Sequence, residues 1–122
     1  MKNALKTLLS LFALLATLGL ATPNEARAYA LSCSTAVNFI LYGDDGDVGL
    51  VVGHSAGVVD FMAGIYCFTK HRACSCLSNL IVQRTEQFSE AFAARLASCA
   101  TSRPRDPAFG PAVQAAADVC GL

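Results

Sequence analysis

The chain has 122 residues, and the first 30 read as a removable leader, which leaves about 92 for one compact core. That length excludes a TIM barrel, a doubly wound nucleotide-binding domain and a full α/β-hydrolase. Nine basic residues balance nine acidic ones; Lys2, Lys6, Arg27 and Glu25 belong to the leader, so the remainder carries six basic against eight acidic, a net of −2. With no dense Lys/Arg patch left, nucleic acid and anionic lipid lack the electrostatic footprint they need as partners.

Lys2 and Lys6 form a positive start, and Leu8 to Leu20 is a nearly unbroken apolar run. Pro23 then ends the helix, followed by the small-x-small sites Ala26-Arg27-Ala28 and Ala28-Tyr29-Ala30. This order predicts a secretory signal peptide over 1–30, cleaved after Ala28 or Ala30, and a periplasmic or secreted domain over 31–122. The run falls short of the ~20 apolar residues that span a bilayer, so membrane contact is expected only through the leader before cleavage.

Ser34 is the expected cap of a first helix from Thr35 to Tyr42. Gly43-Asp44-Asp45-Gly46 is turn chemistry, and Asp47 is the expected cap of a long helix ending near Phe68. Within it Val48, Val51, Val52, Ser55, Val58, Val59, Met62, Ile65 and Tyr66 recur at spacings of three and four, one broad apolar face. Gly49, Gly53, Gly57, Asp60, Gly64 and Cys67 form a second stripe. Glycine inside a helix costs ~1 kcal/mol relative to alanine, so several on one side predict a close helix–helix approach there. Thr69 to Ser75 reads as a connection, Cys76 to Ala100 as a third helix, Ser102 to Asp106 as a charged loop, and Pro107 to Val119 as a last helix capped by Asp106. On the third helix Arg84 and Arg95 share the apolar stripe, where their stems can lie while their heads seek a carboxylate or water. The expected fold is all-α, a disulfide-stabilised bundle of about four helices.

All six cysteines (Cys33, Cys67, Cys74, Cys76, Cys99 and Cys120) follow the leader, and an even number in a short exported chain predicts disulfides. The fifteen full pairings stay open. Cys74 and Cys76 are too close to favour each other, so each is expected to reach a distant partner.

Gly53-His54-Ser55-Ala56-Gly57 fits the G-x-S-x-G elbow of serine hydrolases, with Asp60 and His71 following in the required order. Those partners crowd within sixteen residues of Ser55 and no parallel sheet is available, so no catalytic residue is expected and an enzyme is the lesser alternative. Cys67, His71, Cys74 and Cys76 have the chemistry for zinc, but an oxidising compartment and an unfamiliar spacing argue for disulfides; no metal or other cofactor is predicted. Asp44, Asp45 and Asp47 lack the spacing and distal glutamate of a calcium loop and read as turn and cap residues. The glycine stripe resembles that of close-packed transmembrane helices, yet His54 and Asp60 make spanning expensive.

Gly53-x-x-x-Gly57-Val58-Val59-Asp60, the cysteine soon after at Cys67, the long amphipathic helix from Leu77 to Cys99 and the terminal Cys120 together resemble the Rap/Tai family. These are periplasmic immunity proteins against type VI secretion peptidoglycan amidases. The resemblance covers roughly Thr35 to Cys120; the chain departs from the pattern at Val51 and Val52, where the family carries a cysteine, and in its additional Cys74 and Cys76. It implies a small helical, often dimeric protein that binds an effector amidase and blocks it without catalysing anything. The exposed polar segments expected to meet that protein partner are Asp44, Asp45 and Asp47 at one end of the glycine helix and Lys70, His71 and Arg72 at the other. The competing expectation is a general periplasmic helical protein with a stress or chaperone role.

Overall fold

The computed structural model describes residues 31–122, five helices joined by short connections. The expected signal peptide over 1–30 and its expected cleavage after Ala28 or Ala30 lie outside the described residues. Helix α1 spans Cys33–Tyr42, α2 Asp45–Phe68, α3 Cys74–Gln83, α4 Thr85–Ser102 and α5 Phe109–Cys120. Among the described residues there is no strand, and the chain is an all-α bundle with three disulfides.

Helix α1 starts two residues earlier than the sequence suggests, because Ser32 rather than Ser34 is the cap, its hydroxyl accepting from the Thr35 N–H at 3.2 Å. The loop before α5 supplies the other partners. Cys33 donates its N–H to the Asp106 carbonyl and Ser34 to that of Pro104, while Ala108 donates back to Leu31. Amides at the start of α1 that no helix carbonyl can reach are thus satisfied by a distant segment, which locks the beginning of the domain to its end.

Helix α2 begins at Asp45 because Asp44 is its cap. The Asp44 carboxylate accepts from the Asp47 N–H at 2.8 Å, and the Asp47 carboxylate accepts from the Asp44 N–H at 3.3 Å, a reciprocal capping box. Two acids in the first turn also face the positive end of the helix dipole. Helix α2 runs for 24 residues and packs on α1, α3 and α5.

The single third helix expected from Cys76 to Ala100 is two. Arg84 leaves helical geometry at φ −127° and ψ 38°, serving as last cap of α3 and first of α4. The Thr85 hydroxyl, not its amide, takes the Ile81 carbonyl, and the Arg84 guanidinium reaches the Val119 carbonyl at 3.4 Å. The bend lays Phe88, Phe92 and Leu96 of α4 in the core. Helix α5 starts at Phe109, two residues after the expected Pro107, and the expected Asp106 cap makes no such bond; the N-cap is Ala108, without a side-chain partner. Its end is set by Gly121 at φ 72°, a left-handed conformation that glycine takes without the Cβ penalty.

The core centres on Leu77, Leu80, Leu96, Val51 and Val59, all almost fully buried. Each leucine so placed contributes about 1.5–3 kcal/mol by leaving water. Ala112, Ala115 and Ala116 are fully buried as well, and their small side chains let α5 lie close to its neighbours. The bridges tie this core at its edges: Cys33–Cys99 joins α1 to α4, Cys76–Cys120 joins α3 to α5, and Cys67–Cys74 closes the turn between α2 and α3. Cys76 does reach a distant partner. Cys74 does not: it pairs seven positions away, because α3 begins at Cys74 itself and folds back on the end of α2.

Candidate functional site

The residues expected to matter are distributed along α2, which sets their separation. At a rise of about 1.5 Å per residue its 24 residues extend about 36 Å, so the acidic and basic segments stand at opposite ends. At the acidic end, Asp44 and Asp45 are exposed and Asp47 is half-buried. Asp44 and Asp47 spend their carboxylates on the capping box, and Asp45 makes no such bond. Immediately before them, Leu41 is 63% exposed and Tyr42 82% exposed, an apolar and aromatic tip beside the acids.

At the basic end, Lys70, His71 and Arg72 are all exposed. Lys70 takes a left-handed conformation at φ 55°. The His71 Nδ1 accepts from the Ala73 N–H at 3.0 Å, and its ring stands edge-on to Tyr66 with centroids 4.8 Å apart. Arg72 donates to the Gly121 carbonyl at 3.4 Å, at the negative end of α5. This loop is therefore held by its own side chains and by the Cys67–Cys74 bridge. Both sulfurs of that bridge lie beside the Ser78 hydroxyl, Cys67 at 3.3 Å and Cys74 at 4.0 Å.

Ser55 does not sit at an elbow. It lies mid-helix, 4% exposed, and its hydroxyl donates to the Val52 carbonyl at 2.9 Å, a local bond that satisfies a buried polar group. Nor do the sulfurs of the Cys67, His71, Cys74 and Cys76 cluster act as thiolates, since all three are in disulfides. Arg95 finds the carboxylate its position calls for, donating to both oxygens of Asp118 at 2.9 Å. That fork holds the Asp118 carboxyl below its ordinary range, chiefly through hydrogen bonding.

The glycine stripe is only partly a packing stripe. Gly49 is buried and Gly53 half-buried, but Gly57, Asp60 and Gly64 face outward, as does much of the side they share. A Cβ added at Gly57 or Gly64 would meet nothing within 4 Å. The expected close approach is absent there because the neighbouring helices cover the opposite side, through Val51, Ser55, Val59 and Met62. No family model, curated protein or solved structure matches the chain.

An exposed apolar set on α2 is the more notable feature. Leu50, Phe61 and Phe68, outside the expected face, are 41%, 71% and 89% exposed, and Ile65, expected on the buried face, is 48% exposed because it lies at that face's edge; they line the bare side with Gly57 and Gly64 between them. The signal was present in the sequence as a helix that is apolar all round, long and apolar enough to cross a membrane by length and composition. His54 borders this side, and its Nε2 is buried without a hydrogen-bond partner. Burial pushes the His54 pKa below the ordinary histidine value of 6.5.

Proposed function

We propose that this chain is a periplasmic or secreted binding protein of the immunity type, one that neutralises a peptidoglycan-cleaving effector by occupying it. The observation that supports this most is the pairing of a cross-linked interior with an exposed aromatic and acidic tip, Leu41 and Tyr42 beside Asp44 and Asp45. Tyrosine anchors flanked by charge are the usual carriers of binding energy at protein interfaces. A tip held by a capping box loses little conformational freedom on docking, so more of the contact energy is left as affinity. Three disulfides accord with an oxidising compartment, and the leader with export. The partner face opposite Asp44 and Asp45 carries positive charge in this reading, and the loop Lys70–Arg72 meets an acidic one.

The test is affinity capture from the periplasm with wild-type and charge-reversed bait. One amidase-like enzyme retained by the wild type, and lost from Asp45→Lys and Tyr42→Ala baits of unchanged helicity, is the expected result. Equal capture by all three would remove the tip from the account. The exposed apolar side of α2 favours one other reading, a stress protein that holds unfolded clients. That reading requires suppression of aggregation across many unrelated proteins, and the effector reading requires a single partner.

A further inference from the structure

The three bridges differ in their surroundings. Cys33 is fully buried, and Cys76, Cys99 and Cys120 pack against the apolar core. Cys67 and Cys74 are half-buried and belong to neither group. Their bridge sits where α2 ends and α3 begins, at the base of the exposed loop Lys70–Arg72. The Ser78 hydroxyl lies 3.3 Å from the Cys67 sulfur and 4.0 Å from that of Cys74. We propose that the Cys67–Cys74 bridge is a thiol–disulfide exchange site that passes its disulfide to a peptide or protein dithiol, with Cys67 the sulfur attacked and Cys74 the sulfur released.

Exchange is fastest through the sulfur that leaves most readily as a thiolate. Cys74 is the first residue of α3, and the N-cap Ala73 offers that helix no side-chain bond, so the positive end of the helix is left to the sulfur. Lys70, which makes no ion pair among the described residues, adds positive charge to the same turn. Ser78, one helical turn into α3, supplies a hydroxyl that can donate to the released sulfur. The other charges nearby are spent or distant: Arg72 is drawn to the Gly121 carbonyl, Asp118 of α5 is paired with Arg95, and Asp60 stands two turns of α2 before Cys67, about 10 Å along the axis. The remaining bridges lack such a leaving group. Attack on Cys99 would release a thiolate on buried Cys33, and Cys76, although in the first turn of α3, packs on the core, where a charged sulfur is costly.

Approach to Cys67 is open from the bare side of α2. Helical side chains lean toward the helix start, so Cys67 lies over the turn holding Gly64, where an added Cβ would meet nothing within 4 Å. Phe68 beside it, and Phe61 and Ile65 before it, are exposed, so a chain with apolar residues around its cysteine can lie along α2 and bring a thiolate to the sulfur. That thiolate forms a mixed disulfide with Cys67, and the electron pair of the broken S–S bond goes to Cys74. The substrate's second thiolate then attacks the substrate sulfur of the mixed disulfide and expels Cys67. The two cysteines take up the two protons that the substrate thiols give up. The substrate is oxidised by two electrons and the bridge reduced by two, one bridge per substrate, with no other oxidant consumed. The turn keeps its shape meanwhile through the His71 bond to Ala73 and the Arg72 bond to Gly121.

Single-turnover reaction of the fully bridged protein, quenched with iodoacetamide and mapped by mass spectrometry, tests the proposal. The probes are dithiothreitol, a synthetic peptide with two cysteines flanked by leucines, and the same peptide with one cysteine. Cys67 and Cys74 are expected to take the label about tenfold or more faster than the other four, at unchanged helicity, and the one-cysteine peptide to be recovered on Cys67. A bridge that was merely exposed would also open first, so two further readouts decide. Phe68→Ser should slow the two-cysteine peptide about threefold more than it slows dithiothreitol. With only this bridge opened, alkylation of Cys74 should reach half its maximal rate at a lower pH than a cysteine in an unfolded peptide, and Ser78→Ala should raise that midpoint. Earlier opening of another bridge, recovery of the peptide on Cys74, equal effects of Phe68→Ser on both reductants, or a Cys74 midpoint equal to that of the unfolded peptide would each overturn the proposal. A midpoint unmoved by Ser78→Ala removes the serine from the site.

Discussion

Gly43 shows how a single position can carry more than turn chemistry. A Cβ there would come within 2.5 Å of the Phe39 carbonyl oxygen and 2.6 Å of the Asp47 Cβ, distances that require backbone to move. Its φ of −78° is ordinary, so the need for glycine is steric and not conformational. Gly43→Ala is expected to destabilise the domain by about 1–3 kcal/mol, the usual cost of forcing atoms into filled space, measured as a lower urea midpoint at unchanged slope. His54 gives a prediction with a pH sign. Burial lowers its folded pKa below 6.5, so the unfolded chain binds more protons than the folded one as pH falls past that value. The stability that neutral His54 permits is therefore complete above pH 6.5 and is lost on acidification, with Nε2 left without a partner to share the new charge. His54→Gln should flatten the fall of the urea midpoint between roughly pH 7 and 5. An equally steep fall in that variant would mean that His54 is not the group responsible.

At the level of elements, the ends of α2 are legible in the sequence and its faces only half so. The end near Phe68 is as expected, and Asp44 and Asp47 share a capping box at the start, although taking Asp47 as the cap, with Asp44 in the turn, makes the helix three residues shorter. The valine stripe correctly places Val51, Val59 and Met62 in the core. Phe61 and Phe68 escape because a helix apolar on every side has no contrast from which to read a face. The split of α3 from α4 is hidden for another reason: Gln83-Arg84-Thr85 contains neither glycine nor proline, and the bend rests on a Thr85 hydroxyl and a contact to Val119 that only the tertiary fold supplies. With open space around its missing Cβ, Gly57→Ala should stabilise the domain by about 1 kcal/mol, from helix propensity alone, measured as a higher urea midpoint. A loss of stability would mean that a neighbour within the bundle does approach this position.

Across the whole molecule, the cysteine count made disulfides legible, whereas the pairing waited on the path of the chain. The three bridges do unequal work. Cys33–Cys99 spans 66 positions and Cys76–Cys120 spans 44, each tying helices from different parts of the bundle, while Cys67–Cys74 spans 7. In the chain-entropy account a loop of that first length restricts the unfolded state by about 4 kcal/mol and the shortest by about 2.5 kcal/mol. The difference sharpens in the folded state. The turn closed by Cys67–Cys74 is also held by the His71 bond to Ala73 and the Arg72 bond to Gly121, so its geometry has other supports. The junction closed by Cys33–Cys99 anchors the start of α1, whose other end carries Leu41 and Tyr42, to α4. Replacing Cys67 and Cys74 together by alanine should therefore lower stability by about 1–2.5 kcal/mol and leave the tip in place, whereas the same change at Cys33 and Cys99 should cost about 3–4 kcal/mol. Hydrogen exchange locates the difference: protection of α1 amides is expected to fall toward that of a frayed segment in the Cys33/Cys99 variant and to persist in the Cys67/Cys74 one. Equal losses of α1 protection in the two would mean that α1 is held by the amide contacts to 104–108 and not by its bridge.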